Sequence, residues 1–281
     1  MAQQAAPDYL VTPEWLEAHL NDASVRVVDA RPPDKYAQGH IPGATNVDCQ
    51  GIATRDTSAE GVAAWTARME EALSAAGVGP GQTVVFYEDT SGSNAARGVW
   101  ALAYFGHDGG KLLDGGLNAW RAAGGAVTTE PATVERTSFQ ARPRPEELAG
   151  YEYVLGRLND GATQIVDTRK PTEYDGTEIR SARGGRIPGA VPLDWVNNLD
   201  ASGRLKPRAE LEALYTGLGL DRGREVITYC QGGYRAAHTW LVLRMLGYPR
   251  VRNYLGSWGE WGNREGLPIE NLTLPDSAKP A

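Results

Sequence analysis

Cys230 is the residue of this chain best placed to do chemistry. It follows the apolar run Val226-Ile-Thr-Tyr229, and Gln231-Gly-Gly-Tyr-Arg235 comes next, leading into a helical stretch that starts at Ala236. In open α/β sheets, ligands gather beyond the carboxyl ends of the strands, which is where this cysteine falls. Gly232 and Gly233 let the backbone curl so that successive N–H groups face inward as an anion nest. The positive end of the following helix reinforces that field. Both effects favour thiolate over thiol, and the thiolate is the nucleophile. Arg235 adds a fixed cation suited to an anionic substrate. The expected site is therefore Cys230 as the catalytic residue, with Gln231, Gly232, Gly233, Tyr234 and Arg235 as the substrate-binding loop. The plain alternative is a small buried cysteine before a glycine turn, since free cysteine is usually buried. The glycine pair, the arginine and the helix start together favour the chemical reading.

The elements that must position this loop occur twice. Val27-Val-Asp-Ala-Arg31 reappears as Ile165-Val-Asp-Thr-Arg169, and Ile41-Pro-Gly-Ala44 as Ile187-Pro-Gly-Ala190. The stretch from Ala76 to Tyr87 parallels that from Leu218 to Tyr229, and Leu113-Asp-Gly-Gly-Leu-Asn-Ala-Trp120 parallels Tyr254-Leu-Gly-Ser-Trp-Gly-Glu-Trp261. Four landmarks in one order, each displaced by about 140 residues, mean duplicated domains rather than a short-period solenoid. Residues 25–28, 83–87, 164–166 and 225–229 are buried-strand candidates. A helix is expected from Thr12-Pro13, a capping residue with proline behind it. Others are expected over 63–76, 95–105, 208–217 and 236–246. The fold class is α/β, with two similar domains, each a mostly parallel sheet with helices on both faces. The expected boundaries are 9–127 and 148–270, joined by a proline-rich linker at 128–147 and followed by a tail at 271–281.

The duplicate also acts as an internal control. Glu88 stands where the second copy has Cys230, and Asp89 follows it, so the first copy has carboxylates and no nucleophile there. Cys49 lacks both a strand behind it and an arginine closing its loop, so it reads as a structural or surface thiol.

Composition narrows the function. The 281 residues are 41% hydrophobic and 22% charged, which is globular and fits two domains. A net charge of −7 with no basic, aromatic-rich stretch argues against nucleic acid. No apolar run reaches the roughly 18 residues of a membrane span. Met1-Ala-Gln-Gln-Ala-Ala-Pro-Asp8 does not read as a signal peptide, and the Asn271-Leu-Thr273 sequon reads as chance. Two cysteines and four histidines leave no disulfide scaffold and no structural metal site. The expected compartment is a reducing cytoplasm.

The paired Asp-x-Arg and Ile-Pro-Gly-Ala patterns, the strand-Cys-x4-Arg loop and the Leu255-Gly-Ser-Trp-Gly-Glu-Trp261 motif resemble the tandem-domain rhodaneses, or thiosulfate sulfurtransferases. The resemblance spans about residues 9 to 268. It implies an inactive first domain and a second whose cysteine takes a sulfane sulfur as a persulfide. The partners it implies are a small anionic sulfur donor, thiosulfate, and a thiol or cyanide acceptor. No metal or organic cofactor is required, and a monomer is the simplest expectation.

Three alternatives stand beside this reading. Cysteine phosphatases use Cys-x5-Arg, one residue longer than this loop. Mercaptopyruvate sulfurtransferases share the tandem architecture but typically carry a smaller, neutral loop. A non-catalytic binding module fits the first domain better than the second. Both tandem groups usually place an arginine where this sequence has Glu173, and Arg169 with Glu173 reads instead as an i,i+4 ion pair. Between the first two landmarks the second copy is eight residues longer than the first, and the excess carries Arg180, Arg183 and Arg186. Arg186 is the one expected to face the Cys230 cavity and bind the sulfonate. His238 lies too far along its helix to serve as a base for Cys230, leaving a packing or surface role. Trp195 and Trp258 read as core aromatics, with a cavity wall as the alternative.

Overall fold

In the computed structural model, residues 8–271 are described, and they form two five-stranded sheets. The N-terminal stretch and the tail past residue 271 lie outside them. The first sheet contains β1 (Leu10–Val11), β2 (Val25–Asp29), β3 (Thr45–Asn46), β4 (Thr83–Tyr87) and β5 (Gly110–Leu113), in the order β1-β5-β4-β2-β3. The second contains β6 (Leu148–Ala149), β7 (Thr163–Asp167), β8 (Val191–Pro192), β9 (Glu225–Tyr229) and β10 (Val251–Tyr254), in the equivalent order β6-β10-β9-β7-β8. Every strand pairing is parallel.

Helices fill the crossovers, as parallel strands require. The first half contributes α1 (Pro13–His19), α2 (Pro33–Gln38), α3 (Ala59–Ala75), α4 (Ser93–Tyr104) and α5 (Gly116–Ala122). The second contributes α6 (Tyr151–Leu155), α7 (Pro171–Tyr174), α8 (Arg208–Gly217), α9 (Tyr234–Met245) and α10 (Ser257–Trp261). Thr12 caps α1 by accepting from Trp15 N at 3.2 Å. α3 starts four residues ahead of expectation, because Ser58 accepts from Gly61 N and caps the chain there. The two-residue strands β1, β3, β6 and β8 were not anticipated; they are too short to show a period of two.

Each sheet has two covered faces. The outer faces hold separate cores, around Leu16, Ile41 and Trp120 in one half and Val154, Ile187 and Trp261 in the other. The inner faces share one core, in which α4 lies against α9 in the most extensive contact between two elements. Residues 95–104 of α4 and 236–243 of α9 are all buried, as expected of helices enclosed on every side. No helix among the described residues is long and apolar enough to cross a membrane.

His238 is one tie across this seam. It is fully buried, donates from Nε2 to Ser91 O at 2.9 Å, and receives Asn198 Nδ2 at Nδ1 at 3.4 Å. Burial pushes its pKa down to about 4, against an ordinary 6.5. Below pH 6.5 the unfolded chain takes up a proton there that the folded chain refuses until about pH 4. Stability is therefore lost across that window as pH falls, by up to about 3 kcal/mol. In urea titrations at pH 7 and 4.5, His238→Gln, which keeps a donor for Ser91, should lose less stability than the native protein. Equal losses in the two proteins would show that His238 does not resist protonation.

Candidate functional site

The repeated motifs are the scaffold beneath the loop. Asp167 clamps Arg169 through Nε and Nη2, and Arg169 also donates to Gly185 O at 2.7 Å. Tyr229, the last residue of β9, donates to Asp167 at 2.6 Å and receives Ile187 N, the start of Ile-Pro-Gly-Ala, at 3.2 Å. The first half builds the same knot from Asp29, Arg31, Tyr87 and Ile41. The expected Arg169–Glu173 pair does not form. Residue 170 is extended and α7 begins only at Pro171, so helical i,i+4 geometry does not reach back to Arg169.

Cys230 follows β9 and precedes α9, as expected, and is 1% exposed. Gly233 takes the left-handed φ of +81° that glycine tolerates, which aims its N–H at the sulfur. Gly233 N and Gly232 N donate to Cys230 Sγ at 3.1 and 3.4 Å. The thiol sits at the N-terminus of the 12-residue α9. Burial alone would raise its pKa. Arg235 and the N–H groups of Gly232, Ala236 and Gly233 overcome that, holding the thiol below its usual range.

The loop is anchored from behind by α10. Trp258 N donates to Cys230 O at 2.9 Å and Gly259 N to Gln231 O at 2.8 Å, so the free N–H groups of α10 are used on the loop's carbonyls. Cys230 N itself donates to Ser257 Oγ at 3.1 Å. This is the structural work of the Leu255-Gly-Ser-Trp-Gly-Glu-Trp261 motif. Its buried Glu260 also reaches the first half, accepting from Thr57 N and Thr57 Oγ1 at 2.8 and 2.6 Å.

A cavity of about 440 Å³ opens over Cys230, and both halves line it. Gln231, Gly232, Tyr234 and Arg235 are in the lining, whereas Gly233 lies behind it with its N–H on the sulfur. Two of these side chains anchor the surroundings. Gln231 Nε2 donates to Arg180 O and Ser181 Oγ, both at 3.1 Å, tying down the longer second-copy segment. Tyr234 donates to Gln50 O at 3.0 Å, gripping a first-half loop. Arg235 is bidentate to Glu173, at 2.6 and 2.9 Å, and it also interacts with the Cys230 thiol. Glu173 thus occupies the expected arginine position as the partner that orients Arg235.

The cation from the longer segment is Arg180, not Arg186. Arg186 exchanges backbone hydrogen bonds with Glu270, pairs with its carboxylate at 2.9 Å and lies over the Tyr174 ring. Those partners hold it outside the lining. Arg180, half exposed, lines the cavity and approaches Glu173 at 3.4 Å. Arg55 of the first half and Lys170 also line it, and neither belongs to a recognisable motif. Trp195 is a partly exposed wall of the cavity rather than a core aromatic, with His238 edge-on at 5.0 Å. Trp258 is in the core, with Arg169 over its ring at 4.6 Å.

The corresponding place in the first half is plugged. Glu88 turns back into its own loop, where Asn94 N donates to it at 3.2 Å, and a Cβ on Gly92 would collide with its carboxylate. Burial lifts its pKa to about 7. A loop already filled by its own carboxylate has no room for an anionic ligand. Cys49 is buried, and burial pushes its thiol up to about 12, the behaviour of an inert structural cysteine.

Comparison with known proteins agrees with this construction. The Rhodanese-like domain family matches twice, over residues 12–123 and 151–264. The thiosulfate sulfurtransferase of Azotobacter vinelandii is 35% identical over 93% of this chain and 96% of its own length. The sulfur carrier protein TtuD of Thermus thermophilus is 34% identical over 94% of this chain and 97% of its own. The crystal structure of SseA from Escherichia coli, described as a 3-mercaptopyruvate sulfotransferase, superposes with a TM-score of 0.75 at 27% identity, covering 89% of this chain and 99% of that one. With two such domains and relatives at this identity along nearly its whole length, the chain belongs to the rhodanese-like family and is a tandem-domain sulfurtransferase.

Proposed function

We propose that the chain transfers the sulfane sulfur of thiosulfate to a thiophilic acceptor through a persulfide on Cys230. The observation that carries the reading is a thiol held below its usual pKa by N–H donors at 3.1 and 3.4 Å and by Arg235. The Cys230 thiolate attacks the outer sulfur of thiosulfate, the sulfur–sulfur bond of the donor breaks, and sulfite leaves with the bonding pair. The acceptor then attacks the terminal persulfide sulfur and the Cys230 thiolate returns. With cyanide the product is thiocyanate.

The N–H groups of the Gln231-Gly-Gly-Tyr-Arg235 loop receive the terminal sulfur. Arg235 faces the donor's sulfonate with Arg180, Lys170 and Arg55 around it, a cationic lining suited to a dianion. The catalytic domain is residues 148–270 and the silent one 9–127. A cavity assembled from both halves of one chain fits a monomer. Cys49 and Cys230 are both free thiols, consistent with a reducing cytoplasm.

Intact-mass measurement after incubation with thiosulfate tests the reading. The expected result is a gain of one sulfur atom that cyanide removes. A gain with mercaptopyruvate alone would move the donor to the keto acid. No gain with either would favour a phosphatase or a binding module.

A further inference from the structure

We infer that Arg97, from the half without a nucleophile, is a positioning residue for catalysis: it holds the Gly233 carbonyl and supplies the buried positive charge that balances the sulfur anion of Cys230. The inference rests on reading Cys230 as the sulfur-bearing nucleophile. Arg97 lies on α4, is 1% exposed, and donates from Nη1 to Gly233 O at 3.0 Å. Asn253 Nδ2 donates to the same oxygen at 3.0 Å. Gly233 is the residue whose left-handed backbone turns its N–H onto Cys230 Sγ, and a Cβ there would lie 2.5 Å from Arg97 Nη1. Arg97 therefore holds Gly233 by the carbonyl that follows the nest N–H and takes the space a Cβ there would need.

The charge of Arg97 is unusual in its surroundings. The other buried arginines, Arg31, Arg169 and Arg186, each pair with a carboxylate. Arg97 forms no ion pair among the described residues, and its Nη2 has no hydrogen-bond partner. It lies instead over the rings of Trp100, Tyr234 and Trp65 at 4.7, 5.0 and 5.3 Å. Aromatic faces ease the burial of a cation without neutralising it. The ionisable groups that act on it most are Tyr234, Cys230 and Cys49. Burial pushes the Tyr234 phenol and the Cys49 thiol away from their charged forms, whereas Cys230 is favoured as the thiolate. Of the three, only Cys230 is favoured in its charged form, with Arg235 and the loop N–H groups as its strongest supports and Arg97 as a further cation acting from α4. The charge persists through the cycle, because a persulfide carries the same single negative charge as the thiolate it replaces.

The seam is reciprocal. Arg97 of α4 reaches a loop carbonyl of the second half, while His238 of α9 reaches Ser91 O in the corresponding loop of the first. The silent half gives the active loop a buried cation, whose pKa burial lowers from the ordinary arginine value, and the active half returns a neutral imidazole.

The test is Arg97→Met and Arg97→Lys in the full chain, with the rate of Cys230 alkylation by iodoacetamide followed against pH. Arg97→Met should raise the apparent thiol pKa by about one unit or more and cut the alkylation rate at pH 7 about tenfold. kcat with thiosulfate should fall while KM changes little, and Arg97→Lys should recover most of both. A folded Arg97→Met protein with an unmoved pH profile would overturn the inference, as would an activity loss that is equal at every pH and not rescued by lysine. Should the methionine variant fail to fold, Arg97→Gln keeps a donor for Gly233 and removes the charge, and an unmoved profile there is equally fatal. A shifted alkylation profile in a protein that gains no sulfur from either donor would uphold the role of Arg97 while refuting the sulfurtransferase reading.

Discussion

Replacing Cys230 by serine should leave a folded chain that gains no mass from thiosulfate and retains at most about a thousandth of the native turnover. Oxygen for sulfur is a small change in a site that is already polar. The nest that donates to Sγ at 3.1 and 3.4 Å remains, so the fold has no reason to yield. The chemistry does not survive, because these donors can depress a thiol into the ionised range but leave a hydroxyl many units too basic. A persulfide bond also needs sulfur on both sides. Cys49 cannot substitute, being buried in the first half with its thiol pushed up to about 12. Steady-state assay together with intact mass checks the outcome; persistent sulfur loading of the serine variant would place the nucleophile elsewhere.

Removing Arg235 should damage both activity and stability, and the two losses can be separated. The Glu173 side chain is 1% exposed and leans on Arg235 through two hydrogen bonds, which hold its carboxyl below the usual range against burial. Arg235→Gln leaves that carboxylate with the Lys170 N–H at 3.2 Å and with Arg180, at 3.4 Å on a half-exposed side chain. The expected destabilisation is about 3 kcal/mol, at the lower end for a broken buried pair because Arg180 remains. The same change removes the cation beside Cys230, and turnover should fall by about a hundredfold or more. Adding Glu173→Gln removes the stranded charge, so the double variant should recover most of the unfolding midpoint in urea and little of the activity. Recovery of both together would mean that Arg235 serves only the fold.

The parts legible in the sequence are those written contiguously. Cys230 and its loop occupy adjacent positions between a strand and a helix, so their convergence follows from local geometry. The duplication was legible because its motifs recur in one order, and the structure gives them a common task in the Asp167–Arg169–Tyr229–Ile187 knot and its first-half counterpart. Partnerships formed across the fold were not legible. Glu173 reaches Arg235, and Arg55 enters the cavity from the other half, over separations that carry no periodic signal. The choice among Arg180, Arg183 and Arg186 was decided by competing anchors. Glu270 captures Arg186, and the carbonyls of Leu267, Trp261 and Arg264 capture Arg183, which leaves Arg180 at the cavity.

The packing of α4 against α9 also bears on what the chain can lose. Each helix is buried over most of its length and finds part of its cover in the other. The first copy carries a carboxylate, Glu88, where the second has its cysteine, and that side chain turns back into its own loop while Ser91 of the same loop still meets His238 across the seam. The first copy cannot disappear, because a shortened chain would expose the flank of α9 to water and lose the arginine behind the nest. The lack of a cysteine at Glu88 is therefore no step toward deletion of the first half. The first copy walls the cavity and carries Arg97, so it cannot be removed without opening the second copy's site.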